Sequence, residues 1–166
     1  MSKNQRSKAS ANGHVEGRKV IATNRRAFHD YHIIEEFEAG IELTGTEIKS
    51  LRDGRMNMRD AYGRIENGQL WLVGLHISPY DHAGGLFQHD PTRPRRLLLH
   101  KSQIRYLQFE MEARGYTLVP LRIALKRGWA KVDVGLARGK KLYDKRDSMA
   151  ERDAQRDMER ALRERG

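Results

Sequence analysis

The chain has 166 residues, of which 33% are charged and 38% hydrophobic, and its formal net charge is +10. That length suits one compact domain with tails, and so large a positive charge favours a polyanionic partner such as a nucleic acid. The absence of cysteine excludes disulfides, thiolate zinc sites and a cysteine nucleophile. No apolar run approaches the roughly 18 residues of a membrane span, and the first residues lack the apolar segment of a secretory signal. We therefore expect a cytoplasmic protein with no membrane partner.

The two ends of the chain carry most of its net charge. Residues 1–20 have five Lys or Arg against one Glu, lack periodicity, and are predicted to be a disordered basic tail. Residues 138–166 have ten Lys or Arg against seven acids, so residues 21–137 carry only +3 of the total. The predicted domains are the N-terminal tail 1–20, a folded domain 21–138 and a basic C-terminal tail 139–166.

The first predicted elements are a strand and a helix. Strand-like residues run from Tyr31 to Leu43, with a turn expected at residues 38–40. A short helix is predicted over residues 46–54, where Thr46 caps the N-terminus and Gly54 supplies the left-handed stop.

Two hairpins and a second helix follow. Asn67-Gly68 lies between alternating apolar runs, which is typical of a type I′ turn. After a loop at residues 78–94, Ser102 is predicted to cap a helix that ends at Gly115. The last hairpin turns at residues 126–128. Short strands with close connections predict a mostly β fold with helices, an OB-like antiparallel β-barrel, because closure removes exposed edges. A β-sandwich is the alternative.

The C-terminal tail has few side chains that suit a core. Ser148 with Glu151 forms a capping box that predicts a helix from Met149, and its apolar stripe is thin. We expect this segment to be disordered alone and helical on binding a surface. A solvated helix packed loosely on the barrel is the alternative.

Enzymatic interpretations have weak support. Glu47-Ile48-Lys49 matches the E-x-K half of a metal-dependent nuclease site, but such short matches arise by chance and a solvent-facing helix turn explains this one equally well. The seven His residues show no metal-ligand spacing. We therefore expect no enzyme activity, no metal and no cofactor.

The basic segments fit nucleic-acid binding better. The aromatic ring of Trp129 or of Tyr31 could stack on an unpaired base. The alternative is that these rings belong to the core, as aromatic residues of a barrel more often do. Two clusters are positioned for phosphate contacts: Asn24, Arg25 and Arg26 before the first strand, and Arg93, Arg95 and Arg96 around Pro94.

Four segments resemble one known family, the SsrA-binding proteins (small protein B, SmpB). NRRAFHDYHIIEEFEAGIEL and the following TGTEIKSLRDGR are similar to the family's opening, HDPTRPRRLLLH to its central strand, and GKKLYDKRD to the start of its tail. The segments lie in order within residues 21–147. The resemblance implies an OB-like barrel that binds the tRNA-like domain of transfer-messenger RNA (tmRNA, SsrA RNA) and delivers it to stalled ribosomes in trans-translation.

The resemblance also implies site residues. Barrel contacts to RNA would involve Glu38, Leu98 and Lys131. Since Glu38 cannot attract phosphate, it would accept hydrogen bonds from base or ribose, or orient a neighbouring Arg.

The tail would enter the empty mRNA channel of the ribosome, near the rRNA of the decoding centre, and become helical there. Tyr143 occupies the position where many family members have His. A tyrosine ring can still stack on an rRNA base, but unlike histidine it cannot become cationic near neutral pH. The other implied tail residues are Gly139, Lys140, Lys141, Asp144, Lys145 and Arg146. We expect a monomer.

Overall fold

The computed structural model describes residues 17–80, 88–140 and 142–164, which form nine strands and four helices. The strands are β1 (Arg18–Thr23), β2 (Tyr31–Ile41), β3 (Met56–Asn57), β4 (Tyr62–Glu66), β5 (Gln69–Val73), β6 (His76–Ile77), β7 (Arg95–Leu98), β8 (Thr117–Lys126) and β9 (Trp129–Gly139). The helices are α1 (Arg25–Asp30), α2 (Gly45–Arg52), α3 (Lys101–Arg114) and α4 (Leu142–Glu164).

Six strands close into a barrel. They pair in the order β4-β5-β7-β2-β9-β8, and β8 pairs back with β4. Every pairing is antiparallel, as the close hairpin connections predict. β1 adds to the second half of β8, and β3 with β6 forms a separate two-stranded sheet. The predicted OB-like antiparallel barrel with helices is confirmed, and the sandwich is not the fold.

The core fills the barrel and extends outside it at one place. Leucine, isoleucine and valine side chains from the barrel strands pack inside with Ile104 and Leu107 of α3. A smaller cluster joins Ala27 of α1 to Val119, Leu121 and Ala137 on the outer side of β8 and β9. These two strands are therefore buried on both faces for part of their length, which explains their long apolar runs.

The turn residues behave as their chemistry predicts. Asn67 and Gly68 both have positive φ, 51° and 73°, between β4 and β5, as a type I′ turn requires. Arg127 and Gly128 have φ of 51° and 83°, so the last hairpin has a two-residue turn flanked by paired strand ends. Gly115 ends α3 in the left-handed region.

Three local predictions were wrong. β2 continues through residues 38–40 without a turn, because Ala39 is buried in the core and the strand keeps pairing with β9 on one side. α2 begins at Gly45 and is capped by Thr44, whose backbone N–H donates to Glu47 at 2.9 Å. His100, and not Ser102, is the N-cap of α3.

The two ends also differ from expectation. β1 begins at Arg18, so residues 18–20 of the expected N-terminal tail belong to the sheet; residues 1–16 lie outside the described part of the chain. α4 begins at Leu142 instead of Met149. The side chains of residues 149–164 are all exposed, so tertiary packing does not stabilise that part of the helix. In the part of the chain that the structure describes, no helix is long and apolar enough to cross a membrane.

Candidate nucleic-acid interface

Three adjoining strands bring the residues implied by the resemblance onto one outer face. Gly40 of β2 lies opposite Leu98 of β7 on one side and opposite Lys131 of β9 on the other. Glu38 is two residues from Gly40 and therefore points to the same face. Leu98 is 45% exposed although it is large and apolar. Residues far apart in sequence thus form one surface, here called the Leu98–Lys131 face and defined by Glu38, Gly40, Leu98 and Lys131.

Gly40 gives this face its shape. A Cβ atom at Gly40 would lie 3.4 Å from the Cβ of Leu98, at the lower edge of ordinary van der Waals contact. The Cδ1 and Cγ of Leu98 would lie 3.5 and 3.8 Å from the same atom, so the Leu98 side chain packs over Gly40 of β2. A surface with an exposed apolar side chain at its centre and a cation at its edge suits the ribose and phosphate of an RNA strand.

Glu38 is held by two cations. Its carboxylate accepts from Arg18 Nη1 at 2.7 Å and from Lys126 Nζ at 3.4 Å, and Arg18 also pairs with Asp133. Of the two roles considered for Glu38, orienting a neighbouring cation is the one these contacts favour. Sequence reasoning assigned Arg18 to a disordered tail; the β-branched residues that follow it, Val20 and Ile21, are the signal that it opens a strand.

A second arginine extends the network. Arg122 Nη1 lies 3.2 Å from Glu36 and 3.5 Å from Asp133, and its guanidinium lies 5.2 Å from the ring centre of Phe28. The network therefore balances Arg18, Arg122 and Lys126 against three carboxylates. Lys131 makes no ion pair with any residue the structure describes, so its charge remains available to a phosphate.

Trp129 marks the end of the same surface. It begins β9 directly after the Arg127-Gly128 turn and is 76% exposed, the largest exposure of any large hydrophobic residue described. It is therefore not part of the core and can stack on a base. Tyr31 behaves differently, since it is partly buried against the small cluster under α1.

The segment Asn24-Arg25-Arg26 at the start of α1 contains two kinds of residue. Asn24 is 7% exposed; its Nδ2 donates to Pro120 O at 2.9 Å, and its Oδ1 accepts from the Ala27 N–H at 3.3 Å. Its role is to cap α1 and tie it to β8, not to reach a phosphate. Arg25 and Arg26 are exposed, although Arg26 lies 3.4 Å from Asp30.

The arginines around Pro94 do not form the expected phosphate-binding cluster. Arg95 is fully buried; it pairs with Glu47 and donates to Leu75 O at 2.7 Å. Arg93 pairs with the other oxygen of Glu47. Arg93 and Arg96 both keep partly exposed side chains, and Arg96 forms a 3.7 Å ion pair with Glu42.

The contacts of Glu47 with the two arginines also lower the pKa of its carboxyl group. Burial pushes the pKa of Glu47 upward, but hydrogen bonds from Arg93, the Thr44 backbone and Arg95 outweigh burial and hold it below the ordinary value. Burial lowers the pKa of Arg95, and the Glu47 carboxylate opposes that change. Glu47 is fully buried and both of its oxygens accept from guanidinium groups, so its surroundings differ from the accessible metal-binding carboxylate of the E-x-K interpretation. In the described ranges no group of three or more His, Asp or Glu is arranged to hold a metal.

The tail leaves the barrel from a fixed point. Gly139 is the last residue of β9 and pairs with Tyr31. The Lys140 N–H donates to Asp30 O at 2.8 Å, and its Nζ lies 3.4 Å from Phe28 O, so α1 holds the start of the tail. Lys141 lies outside the described residues, and Tyr143, Asp144, Lys145 and Arg146 fall in the first turns of α4.

Comparisons with known proteins point to one family. The family model described as "SmpB protein" matches residues 21–164. SsrA-binding protein of Carboxydothermus hydrogenoformans is 57% identical over 147 residues, which cover 89% of this chain and 98% of the relative. SsrA-binding protein of Roseiflexus sp. is 58% identical over 147 residues, covering 89% and 93%.

A solved structure agrees with these sequences. A chain from a structure described as "tmRNA-SmpB: a journey to the center of the bacterial ribosome" is 52% identical and superposes with a TM-score of 0.62. That match covers 74% of this chain and 85% of the other. On the family match and these identities, the chain belongs to the SmpB protein family.

Proposed function

We propose that this protein binds the tRNA-like domain of tmRNA (SsrA RNA) through the Leu98–Lys131 face and delivers that RNA to stalled ribosomes in trans-translation. The relatives named SsrA-binding protein and the neighbour described as tmRNA-SmpB support this partner. The single observation that carries the site is the register that puts Leu98 and Lys131 on either side of Gly40.

Each residue of the face has a distinct proposed role. Lys131, which forms no ion pair with a described residue, binds a phosphate. Leu98 packs on a ribose or base edge, and Trp129 stacks on an unpaired base. Glu38 is a positioning residue that holds Arg18 and Lys126. Since carboxylates offset most of the local positive charge, we infer that the barrel recognises the shape of a folded RNA more than its charge.

Arg25 and Arg26 are proposed as peripheral phosphate contacts. Both are exposed on α1, which packs against β8 beside Arg122. Asn24 supports them only through the cap that it forms on this helix.

The C-terminal tail is proposed to engage the ribosome. Gly139 and Lys140 fix its origin, while Lys141, Tyr143, Asp144, Lys145 and Arg146 reach rRNA near the decoding centre and the mRNA channel. The exposed side chains of residues 149–164 leave that part of α4 without tertiary support, so we expect its helical population to rise when it meets the ribosome.

The protein is proposed to act without catalysis, as a monomer in the cytoplasm where ribosomes work. Glu47, the one residue that suggested an enzyme, is occupied by Arg93 and Arg95. No metal or cofactor is part of the proposed action.

The experiment that tests this function is the sequencing of RNA that copurifies with the tagged protein from cells. We expect strong enrichment of SsrA RNA over its cellular share. A Leu98→Gln/Lys131→Gln variant is the matched control and should lose that enrichment while it folds normally. Enrichment of rRNA alone would contradict the proposal and indicate a general ribosome-binding protein.

A further inference from the structure

A groove lies beside the Leu98–Lys131 face, between α3 and the β4–β5 turn. Its volume is about 540 Å³. Gln69 at the start of β5 forms one wall, and Lys101 and Arg105 of α3 form the other. Arg96 and Leu98 of β7 contribute to the floor. Leu98 thus belongs both to the face already described and to this groove.

The charged side chains that line the groove are all positive. Lys101 and Arg105 are one helical turn apart, so they project from the same side of α3. Both are exposed, and neither makes an ion pair with a residue in the described ranges. Of the two acids near the groove, Glu66 pairs with Arg64 at 3.2 Å and Glu42 lies 3.7 Å from Arg96. Exposed pairs of this kind contribute little to stability.

The strand register makes the groove continuous with the RNA-binding face. Gln69 lies next to Leu70, which pairs with Leu97, so Gln69 stands opposite Leu98. Leu98 is opposite Gly40, and Gly40 is opposite Lys131. This row crosses four strands, which are about 4.8 Å apart, so it spans about 14 Å. One strand of nucleic acid is long enough to follow the row from Lys131 into the groove.

We propose that the groove binds a second stretch of the RNA backbone, with Lys101 and Arg105 on its phosphates, Arg96 joining them, and Leu98 under the ribose between the groove and Lys131. The inference rests on the proposed function, since the same RNA occupies both surfaces. An RNA strand fits this groove better than a protein segment does. Lys101 and Arg105 form no ion pair with a described carboxylate, so they can bind phosphates, and Leu98 in the floor offers an apolar contact for a ribose.

The test compares two variants on the same helix. Arg105→Gln removes a groove cation, whereas Arg114→Gln removes a cation that is also exposed and lies at the C-terminal end of α3, where it pairs with Glu110 at 3.0 Å. Binding of the purified tRNA-like domain of tmRNA is measured over a range of salt concentrations. Losing one phosphate contact should reduce the slope of log K against log salt by about 0.9 and weaken binding about eightfold at about 0.1 M salt.

The expected result is that Arg105→Gln shows both changes and Arg114→Gln shows neither, with equal melting temperatures. Lys101→Gln/Arg105→Gln should reduce the slope by about twice as much. If the parent protein binds this RNA but Arg105→Gln behaves like Arg114→Gln, the groove inference is overturned and the proposed function survives. If the parent protein binds other RNA more tightly than the tRNA-like domain of tmRNA, the proposed function itself is contradicted. Loss of peptide tagging on ribosomes with RNA binding intact would also overturn the inference, in favour of a ribosomal protein in the groove.

Discussion

Arg95 and Glu47 form an ion pair between two side chains that are both fully buried. Glu47 lies in the first turn of α2, and Arg95 is the first residue of β7. The pair therefore fastens the helix to the strand that ends in Leu98. Arg95 also donates to Leu75 O and Pro91 O, so the same guanidinium orders the segment that leads into β7.

Glu47→Gln should destabilise the protein strongly. The amide preserves size but leaves Arg95 buried without a counter-charge, a change that costs about 3–5 kcal/mol. Urea unfolding followed by circular dichroism measures it. Glu42→Gln is the control, because its 3.7 Å pair with Arg96 is exposed and should contribute less than about 1 kcal/mol. Equal effects of the two substitutions would refute the structural importance of the buried pair.

The stability difference between the parent protein and Glu47→Gln should depend on pH. The folded pKa of Glu47 is lowered from 4.5, so its ionisation stabilises the fold fully above that value. The stabilisation is lost as pH falls below 4.5 and through the lower folded pKa. Urea unfolding at steps from pH 7 to pH 3 should show a constant difference down to about pH 5 and a shrinking one below. A difference that stays constant throughout would contradict the lowered pKa.

Lys131→Ala should weaken RNA binding without loss of stability. Its ammonium has no ion-pair partner among the residues described, so removing it exposes no buried charge. One lost phosphate contact makes the slope of log K against log salt shallower by about one. Filter binding to the tRNA-like domain at several salt concentrations measures this. Arg52→Ala, an exposed cation at the end of α2, is the control; an unchanged slope for Lys131→Ala argues against the contact.

Truncation after Lys140 should separate RNA binding from ribosome rescue. Gly139 completes the pairing of β9 with β2, and Lys140 is bonded to α1, so a cut at residue 141 spares the barrel whereas one at 139 does not. The truncated protein should bind SsrA RNA with parental affinity and fail to support peptide tagging in a reconstituted translation reaction. Tagging that persists at the parental rate would show that the tail is dispensable.

Features set by neighbouring residues were the predictable part of this fold. Asn67-Gly68 and Gly115 adopt the predicted conformations because their backbone preference is local. The supposed turn at residues 38–40 shows the limit: a glycine two residues after a glutamate resembles a turn, but these residues stay paired within β2, where Gly40 packs against Leu98, 58 positions away in sequence. Register across a sheet is not visible in local composition.

The candidate site was predicted through the family resemblance more than through charge. Charge reasoning treated Arg93, Arg95 and Arg96 alike, since a run of arginines gives no sign that the middle one is buried. Arg95 is buried because it pairs with Glu47, which lies 48 positions earlier in the sequence. The sequence likewise suggests that Asn24 is a polar surface residue, whereas in the structure it is buried between α1 and β8. In both cases tertiary contacts outweighed the usual surface preference of the residue type.

Strand β9 carries both Lys131, on the proposed RNA face, and Gly139, where the tail begins. Eight residues of extended chain separate them by about 26 Å, and pairing with β2 and β8 on its two sides keeps that length constant. The strand therefore acts as a rigid spacer. Movement of the tail on the ribosome would transmit to the bound RNA as a displacement of the whole barrel, without changing how the RNA is held.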